Sequence, residues 1–225
     1  MPAGARLFGT GRDRRSLAAL EQAGAVATLP GDLGRAGFVD ELVSAAVGAL
    51  GGLDVVVSCA GAGWAGPYAT MSAQEVDAVV DLNLRAPMQL ARVSAPHLAH
   101  GGQMVLVGSV AGLVGVPYEA AYAATKAGLK GLADSLRAEW PGTTVTLVSP
   151  AAVQTPFFSR RNRPYERSWP PPMSVAKPVD AIVGAIEHRR PEVVVPAWMS
   201  LVGRFSAAAP GLYRAVSGLP ERLTR

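Results

Sequence analysis

The 225-residue sequence holds a single cysteine, Cys59, which excludes an internal disulfide framework and fits a reducing compartment. Its three histidines, His97, His100 and His188, lack metal-ligand spacing, so no metal site is expected. Glycine or a charge breaks each apolar run before it reaches the ~18 residues of a membrane span. The first residues carry no long apolar segment of the secretory type, which makes the cytoplasm the expected location. No repeat and no break in composition divides the chain. Lysine is scarce too: only Lys126, Lys130 and Lys177 occur, so the net charge of +4 rests almost wholly on arginine. That balance suits an anionic small partner without selecting nucleic acid. The densest basic cluster, SRRNRPYER at 159–167, lies in a proline-rich stretch and reads as a solvated surface loop, so no nucleic-acid partner is expected.

What is present is alternation. Apolar residues make up 49% of the chain and charged residues 17%, the balance of a packed globular protein. Short apolar runs at 5–9, 25–29, 53–58, 101–109, 143–150 and 192–196 read as strands. Amphipathic stretches at 13–23, 35–49, 72–97, 119–140 and 178–190 read as helices. Phe38, Leu42, Val43, Ala46 and Leu50 share one helix face, and the SAQE beginning at Ser72 is a capping box. LDVVVS at 53–58 is almost wholly apolar, the pattern of a strand buried on both faces. Strands separated by helices imply right-handed βαβ units: an α/β fold with a doubly wound, Rossmann-like parallel sheet, in one domain spanning 1–225. Such sheets bind ligands beyond the carboxyl ends of their strands. There the sequence places GTGRD, PGDL, CAGAG, GSVAG and SPAAVQT, so one site is expected to draw on five loops.

Tyr122 and Lys126, in YAATK, lie four apart and so one helical turn from each other. A phenol ionises near pH ~10, too high for a base at neutral pH, and a neighbouring ammonium is expected to lower that value. Ser109 ends an apolar strand thirteen residues upstream of Tyr122. GSVAG with Ser109, YAATK with Tyr122 and Lys126, and DLNLRAP with Asn83 together resemble the short-chain dehydrogenase/reductase superfamily, over nearly the whole chain. The resemblance implies hydride transfer between a nicotinamide and a carbonyl or alcohol carbon of a small-molecule substrate, with Asn83, Ser109, Tyr122 and Lys126 as the catalytic set. Tyr122 would exchange the hydroxyl proton, Lys126 would lower its pKa and hold the nicotinamide ribose, and Ser109 would bind the substrate oxygen. Asn83 would hold a proton-relaying water. Arg12, just past the run at 5–9, stands where an arginine accepts the 2′-phosphate of NADP, so NADP is favoured over NAD. Asp32 and Leu33 would flank the adenine; Ala60, Gly61 and Pro150 would approach the cofactor by backbone, and Val153 and Thr155 would bind its carboxamide.

The sequence departs from the family pattern in three places. Ser58 and Cys59 replace paired asparagines, and Ala151 replaces a glycine after Pro150. The family's opening strand and T-G-x-x-x-G-x-G loop are lacking; the early GTGRD follows the wrong strand and lacks the third glycine. The fold is therefore expected to be N-terminally truncated, with two inner strands that either close on each other or stay unpaired. A start assigned too far downstream is the preferred explanation. A shortened, non-catalytic paralogue that senses nucleotide or acts as a scaffold is the alternative. The stretch 153–177 is expected to be the substrate loop, with Phe157, Phe158, Tyr165 and Trp169 lining an apolar pocket and arginines at its rim for an acidic group, or else packing as a lid. The amphipathic tail, 197–225, is expected to cover the active site, to pair with another subunit in a homo-oligomer, or to lie on a membrane surface, in that order.

Overall fold

The computed structural model describes residues 4–165 and 170–217. Trp169, the Glu166–Arg167 end of the basic cluster and the tail beyond 217 lie outside the described residues. The chain alternates as its periodicity requires. Strand β1 (Phe8–Gly11) leads through helix α1 (Arg14–Gln22) to β2 (Ala27–Pro30), and α2 (Phe38–Leu50) leads to β3 (Leu53–Ser58). After α3 (Ala73–Val80) and α4 (Ala86–Ser94) comes β4 (Leu98–Val107); α5 (Ala120–Glu139) leads to β5 (Thr144–Pro150). A single turn, α6 (Phe157–Arg160), precedes α7 (Ala176–Glu187) and β6 (Glu192–Val195), and α8 (Met199–Ala208) and α9 (Pro210–Ser217) follow.

All strand pairs are parallel, in two groups: β1 with β2, and β3-β4-β5-β6 in that order. The expectation of a strand buried on both faces at 53–58 fails for β3. Leu53 and Val56 enter the core, but Val55 and Val57 are exposed. The reason lies beside the strand. β1 and β3 do not pair with each other, so β3 is an edge, and an edge strand's side chains lose the cover that a central one has. Helix α2 spans the discontinuity. Gly37 (φ +77°) and Gly51 (φ +83°) bound it in left-handed conformations, which glycine adopts without steric cost. Its Phe38, Leu42, Val43 and Ala46 are buried as the spacing predicts, and it packs on β1, β2 and β3. Arg6 reinforces the bridge by donating to the carbonyls of Leu50 (2.9 Å) and Ala49 (2.8 Å).

The main core lies under β4 and β5, whose Met104, Leu106, Val145 and Leu147 pack against Leu129, Ala133 and Leu136 of α5. The capping box forms: the Ser72 hydroxyl accepts from Glu75 N–H (3.3 Å) and Glu75 Oε2 accepts from Ser72 N–H (2.8 Å). The long helix expected from Ser72 is interrupted by a π turn at Asp81–Arg85, a widening common at functional sites. Among the described residues no helix is long and apolar enough to cross a membrane.

Candidate active site

The buried parallel strands β4 and β5 deliver two loops to one end of the sheet, and α5 rises beside them. Ser109 follows β4 in extended conformation and starts a short turn, its Oγ accepting from Ala111 N–H at 3.1 Å. Tyr122 and Lys126 project from the first turns of α5. The Ser109 hydroxyl stands close enough to the Tyr122 phenol to lower its pKa, and Lys126 Nζ lies 5.7 Å from the Tyr122 ring centroid. Lys126 Nζ donates to Val107 O at 2.9 Å, which fixes the amine against the end of β4. Gly112 lets α5 come this close: a Cβ there would stand 2.5 Å from the Lys126 carbonyl carbon and 2.6 Å from its oxygen.

Burial dominates the electrostatics. It pushes the Tyr122 phenol up to about 12, against the Ser109 hydroxyl; Glu119 adds to the rise and Arg161 opposes it. It pushes the Lys126 ammonium down to about 8, against a smaller opposing effect of Cys59. The expected lowering of the phenol by its lysine neighbour is thus reversed in the chain on its own. The ammonium meets the ring face and a backbone carbonyl, whereas the phenol neighbours a neutral hydroxyl, so desolvation wins. Cys59, on the rim, is likewise raised by burial of its thiol and opposed by Lys126, so no activated thiolate arises.

Asn83 sits in the π turn with no exposed surface. Its amide clasps Ala62 at both ends, Nδ2 donating to Ala62 O and Oδ1 accepting from Ala62 N–H, each at 2.8 Å; Nδ2 also reaches Thr125 Oγ1 at 3.3 Å. The side chain thereby holds the 59–63 loop onto α5. Gly61 in that loop keeps space open: a Cβ would lie 3.3 Å from Asn83 Oδ1 and 3.6 Å from Lys126 Nζ.

A cavity of about 350 Å³ opens beside these groups. Of the residues singled out from the sequence, Ser109, Tyr122, Lys126, Gly61, Pro150, Val153 and Thr155 line it. Ala60 lies between two lining residues, and Asn83 stands behind the wall. Arg12, Asp32 and Leu33 do not reach it. They lie at the ends of β1 and β2, where exposed Arg12 and Asp32 approach to 3.8 Å and Asp32 Oδ1 accepts from Gly34 N–H at 2.9 Å. Ala151 sits in the family's glycine position without a positive φ, so its Cβ is accommodated.

Phe157, Phe158 and Tyr165 line the cavity as an aromatic chain, with ring centroids 5.4 Å from Tyr122 to Phe157, 5.4 Å from Phe157 to Phe158 and 4.8 Å from Phe158 to Tyr165. No arginine lines it among the described residues, which corrects the expectation of an arginine rim. Arg161 instead turns inward, its side chain 4% exposed, and pairs at 2.8 Å with Glu119, 15% exposed. It also donates to the carbonyls of Arg163 (2.7 Å) and Pro164 (3.2 Å), and its guanidinium lies 4.8 Å from the Phe158 ring centroid. Part of the stretch read as a solvated basic loop is therefore an internal clasp. Glu119 and Arg161, 42 residues apart, carry no local pattern that would have linked them.

Comparison with known proteins bears on the family and the fold. The sequence pattern of the short chain dehydrogenase family matches residues 1–166. The ketoacyl reductase HetN of Nostoc sp. is 32% identical over 76% of the chain, which spans 61% of HetN's length. A 2,3-dihydroxy-2,3-dihydro-p-cumate dehydrogenase of Pseudomonas putida is 31% identical over 70% of the chain, which spans 64% of that enzyme. In fold, the chain is similar to a short-chain dehydrogenase from Burkholderia phymatum solved with NAD (TM-score 0.82, 21% identity, 92% of this chain and 85% of that one). It is also similar to one from Sphingobium yanoikuyae solved with NADPH (TM-score 0.78, 26% identity, 92% and 87%). A doubly wound parallel sheet, a Ser-Tyr-Lys set at its carboxyl end and a sequence match across most of the length coincide, and the chain belongs to the short-chain dehydrogenase family of oxidoreductases.

Proposed function

We propose that the chain reduces a neutral, apolar carbonyl compound, or oxidises the matching alcohol, with NADP(H) as cofactor and Tyr122 as the acid or base. The observation that carries this reading is the meeting of Ser109, Tyr122 and Lys126 on the wall of one largely apolar cavity. The residues fit a nicotinamide nucleotide. Gly61 leaves room where a side chain would crowd Asn83 and Lys126. The Lys126 amine donates to a single carbonyl among the described residues and has further N–H groups to offer ribose hydroxyls. Val153 and Thr155 would take the carboxamide, Ala60, Gly61 and Pro150 would meet the cofactor by backbone, and Asp32 and Leu33 would flank the adenine. Arg12, whose approach to Asp32 is long and solvent-exposed, would take a 2′-phosphate, which favours NADP over NAD. The bound nicotinamide supplies or accepts the hydride.

The residues of the chain handle the proton and the oxygen. With its pKa near 12, Tyr122 is protonated at neutral pH and can donate to the oxygen of a carbonyl as negative charge develops there, which supports the reductive direction. Ser109 orients the same oxygen. Lys126 places positive charge within a turn of Tyr122, and Asn83 fixes the loop against which both work. The substrate class follows from the walls. Phe157, Phe158, Val114 and Val116 are apolar, the only acid in the lining among the described residues is Glu119, and Arg161 is committed to it. Among the described residues an anionic substrate would find no counter-ion in the lining beyond Lys126, whereas an apolar ring or chain would be desolvated favourably.

The test is a thermal-unfolding titration with NADPH and NADH, followed by turnover of a panel of apolar ketones, sugars and acyl thioesters. NADPH is expected to raise the transition more than NADH. Tyr122→Phe should lower turnover by roughly 10²–10⁴-fold with the NADPH shift unchanged. A second reading, nucleotide binding without turnover, draws on the GTGRD turn lacking the third glycine of a phosphate loop. It predicts a nucleotide shift, no turnover of any panel member, and indifference to Tyr122→Phe. Turnover of a charged thioester in preference to apolar ketones would refute the substrate class.

A further inference from the structure

The helices α8 and α9 present apolar side chains to solvent in pairs one turn apart. Leu201 and Phe205 are 63% and 40% exposed, and Leu212 and Val216 are 58% and 53% exposed. The ring of Tyr213 on α9 meets that of Phe205 on α8, with centroids 6.3 Å apart, so the two stripes belong to one helical pair. Outward-facing apolar stripes of this size call for a partner.

Charge identifies the partner. Residues 193–217 contain no aspartate or glutamate, and their two charges are Arg204 and Arg214. Neither forms an ion pair among the described residues; Arg204 borders a groove with Lys130, Arg190 and Glu192, where cations outnumber the single acid. A helical pair with Leu and Phe exposed, arginine beside them, no acid of its own and an excess of cations in the adjoining groove suits the boundary of an anionic bilayer, where the apolar chains enter the acyl region and arginine meets the headgroups. A second copy would bring the same positive charge to the contact. Position adds a further argument: Met199, the first residue of α8, lines the catalytic cavity, so the patch begins at the cavity wall.

We propose that α8 and α9 dock the protein on an anionic phospholipid surface, holding its cavity at a bilayer that stores apolar carbonyl substrates. The binding itself is independent of the catalytic reading; only the choice of cargo rests on it. The test contains neither nucleotide nor substrate, so the two readings fail separately.

The experiment is co-sedimentation of the full chain with vesicles of pure phosphatidylcholine and of phosphatidylcholine mixed with phosphatidylglycerol. The mixed vesicles should bind at least about tenfold more protein, and raising the salt from about 0.1 to 0.5 M should weaken binding several-fold. Arg204→Glu with Arg214→Glu should abolish the preference for anionic lipid. Leu201→Ser with Leu212→Ser should remove binding, and their exposure keeps the thermal transition unchanged, which separates lost docking from lost folding. No binding to either vesicle, or equal binding to both, would overturn the proposal. So would a dimer in solution that the serine pair dissociates while vesicle binding persists unaltered.

Discussion

Replacing Lys126 by methionine is expected to stabilise the ligand-free protein while abolishing turnover. The side chain is 5% exposed, and its pKa falls from an ordinary 10.5 to about 8. That drop corresponds to about 3 kcal/mol spent at neutral pH on keeping a charge out of water. Methionine fills similar space without charge and forfeits the bond to Val107 O, worth about 1 kcal/mol. The net gain is about 2 kcal/mol, or roughly 4–8 °C for a domain of this size. The pH dependence has a definite sign. Below about pH 8 both folded and unfolded states hold the Lys126 proton and the full penalty is present. Between about pH 8 and 10.5 the folded state has released it and the unfolded state has not, so stability of the parent rises with pH. The variant lacks that rise, and its advantage should shrink across the window. Above about pH 10 the raised Tyr122 pKa makes both proteins lose stability alike as the unfolded phenol ionises first. Denaturant unfolding at several values from about pH 7 to 11.5 measures both effects. A methionine variant less stable than the parent at pH 7, or one that keeps the full rise, would refute the claim that desolvation dominates this site.

Gly61→Val should place methyl groups against Asn83 and Lys126 and weaken NADPH binding at least about tenfold, or about 1.4 kcal/mol, read as a loss of thermal shift at fixed nucleotide. Gly112→Ala should cost about 3 kcal/mol because its Cβ meets rigid backbone of α5, whereas Gly115→Ala, with nothing within 4 Å of its Cβ, should be neutral; similar melting temperatures for the two would contradict the packing. Arg161→Met should raise KM for apolar substrates and speed proteolysis in the 157–165 segment, since it strands the Glu119 carboxylate. Adding Glu119→Gln should recover much of the loss, and simple additivity in that double-mutant cycle would mean the pair is not coupled.

The sequence was most informative where structure is local. The capping box at Ser72 and Glu75, the buried face of α2 and the strands of the core depend on neighbours three to five residues away, and each formed close to the expected bounds. Whether the strands at 5–9 and 53–58 would pair was left open by the sequence, and so was the exposure of Val55 and Val57: burial of a strand face depends on what lies beside it. Glu119 with Arg161 was equally hidden. An arginine among RR and NR reads as surface until the chain is folded back over α5, and only then does it face a carboxylate. Asn83 was singled out from DLNLRAP, but its two-point grip on Ala62 required the π turn that aims it.

The direction of the Tyr122 shift unites these observations. Spacing alone put a lysine beside a phenol and implied an activated base. The fold surrounds both with apolar walls, and the chain by itself leaves the phenol protonated and the ammonium strained. Each would be relieved by a different contact: the ammonium by hydroxyls reaching into the space that Gly61 keeps open, the phenol by an oxygen that accepts its proton. The cost of holding Lys126 charged is therefore greatest in the protein alone and falls as those contacts form, so relief of that cost adds to the binding energy of a polar ligand. On this argument Lys126→Met should be both the more stable protein at neutral pH and the weaker binder of NADPH. A variant that gained stability yet bound the nucleotide as tightly as the parent would separate the two effects and place the lysine outside the cofactor site.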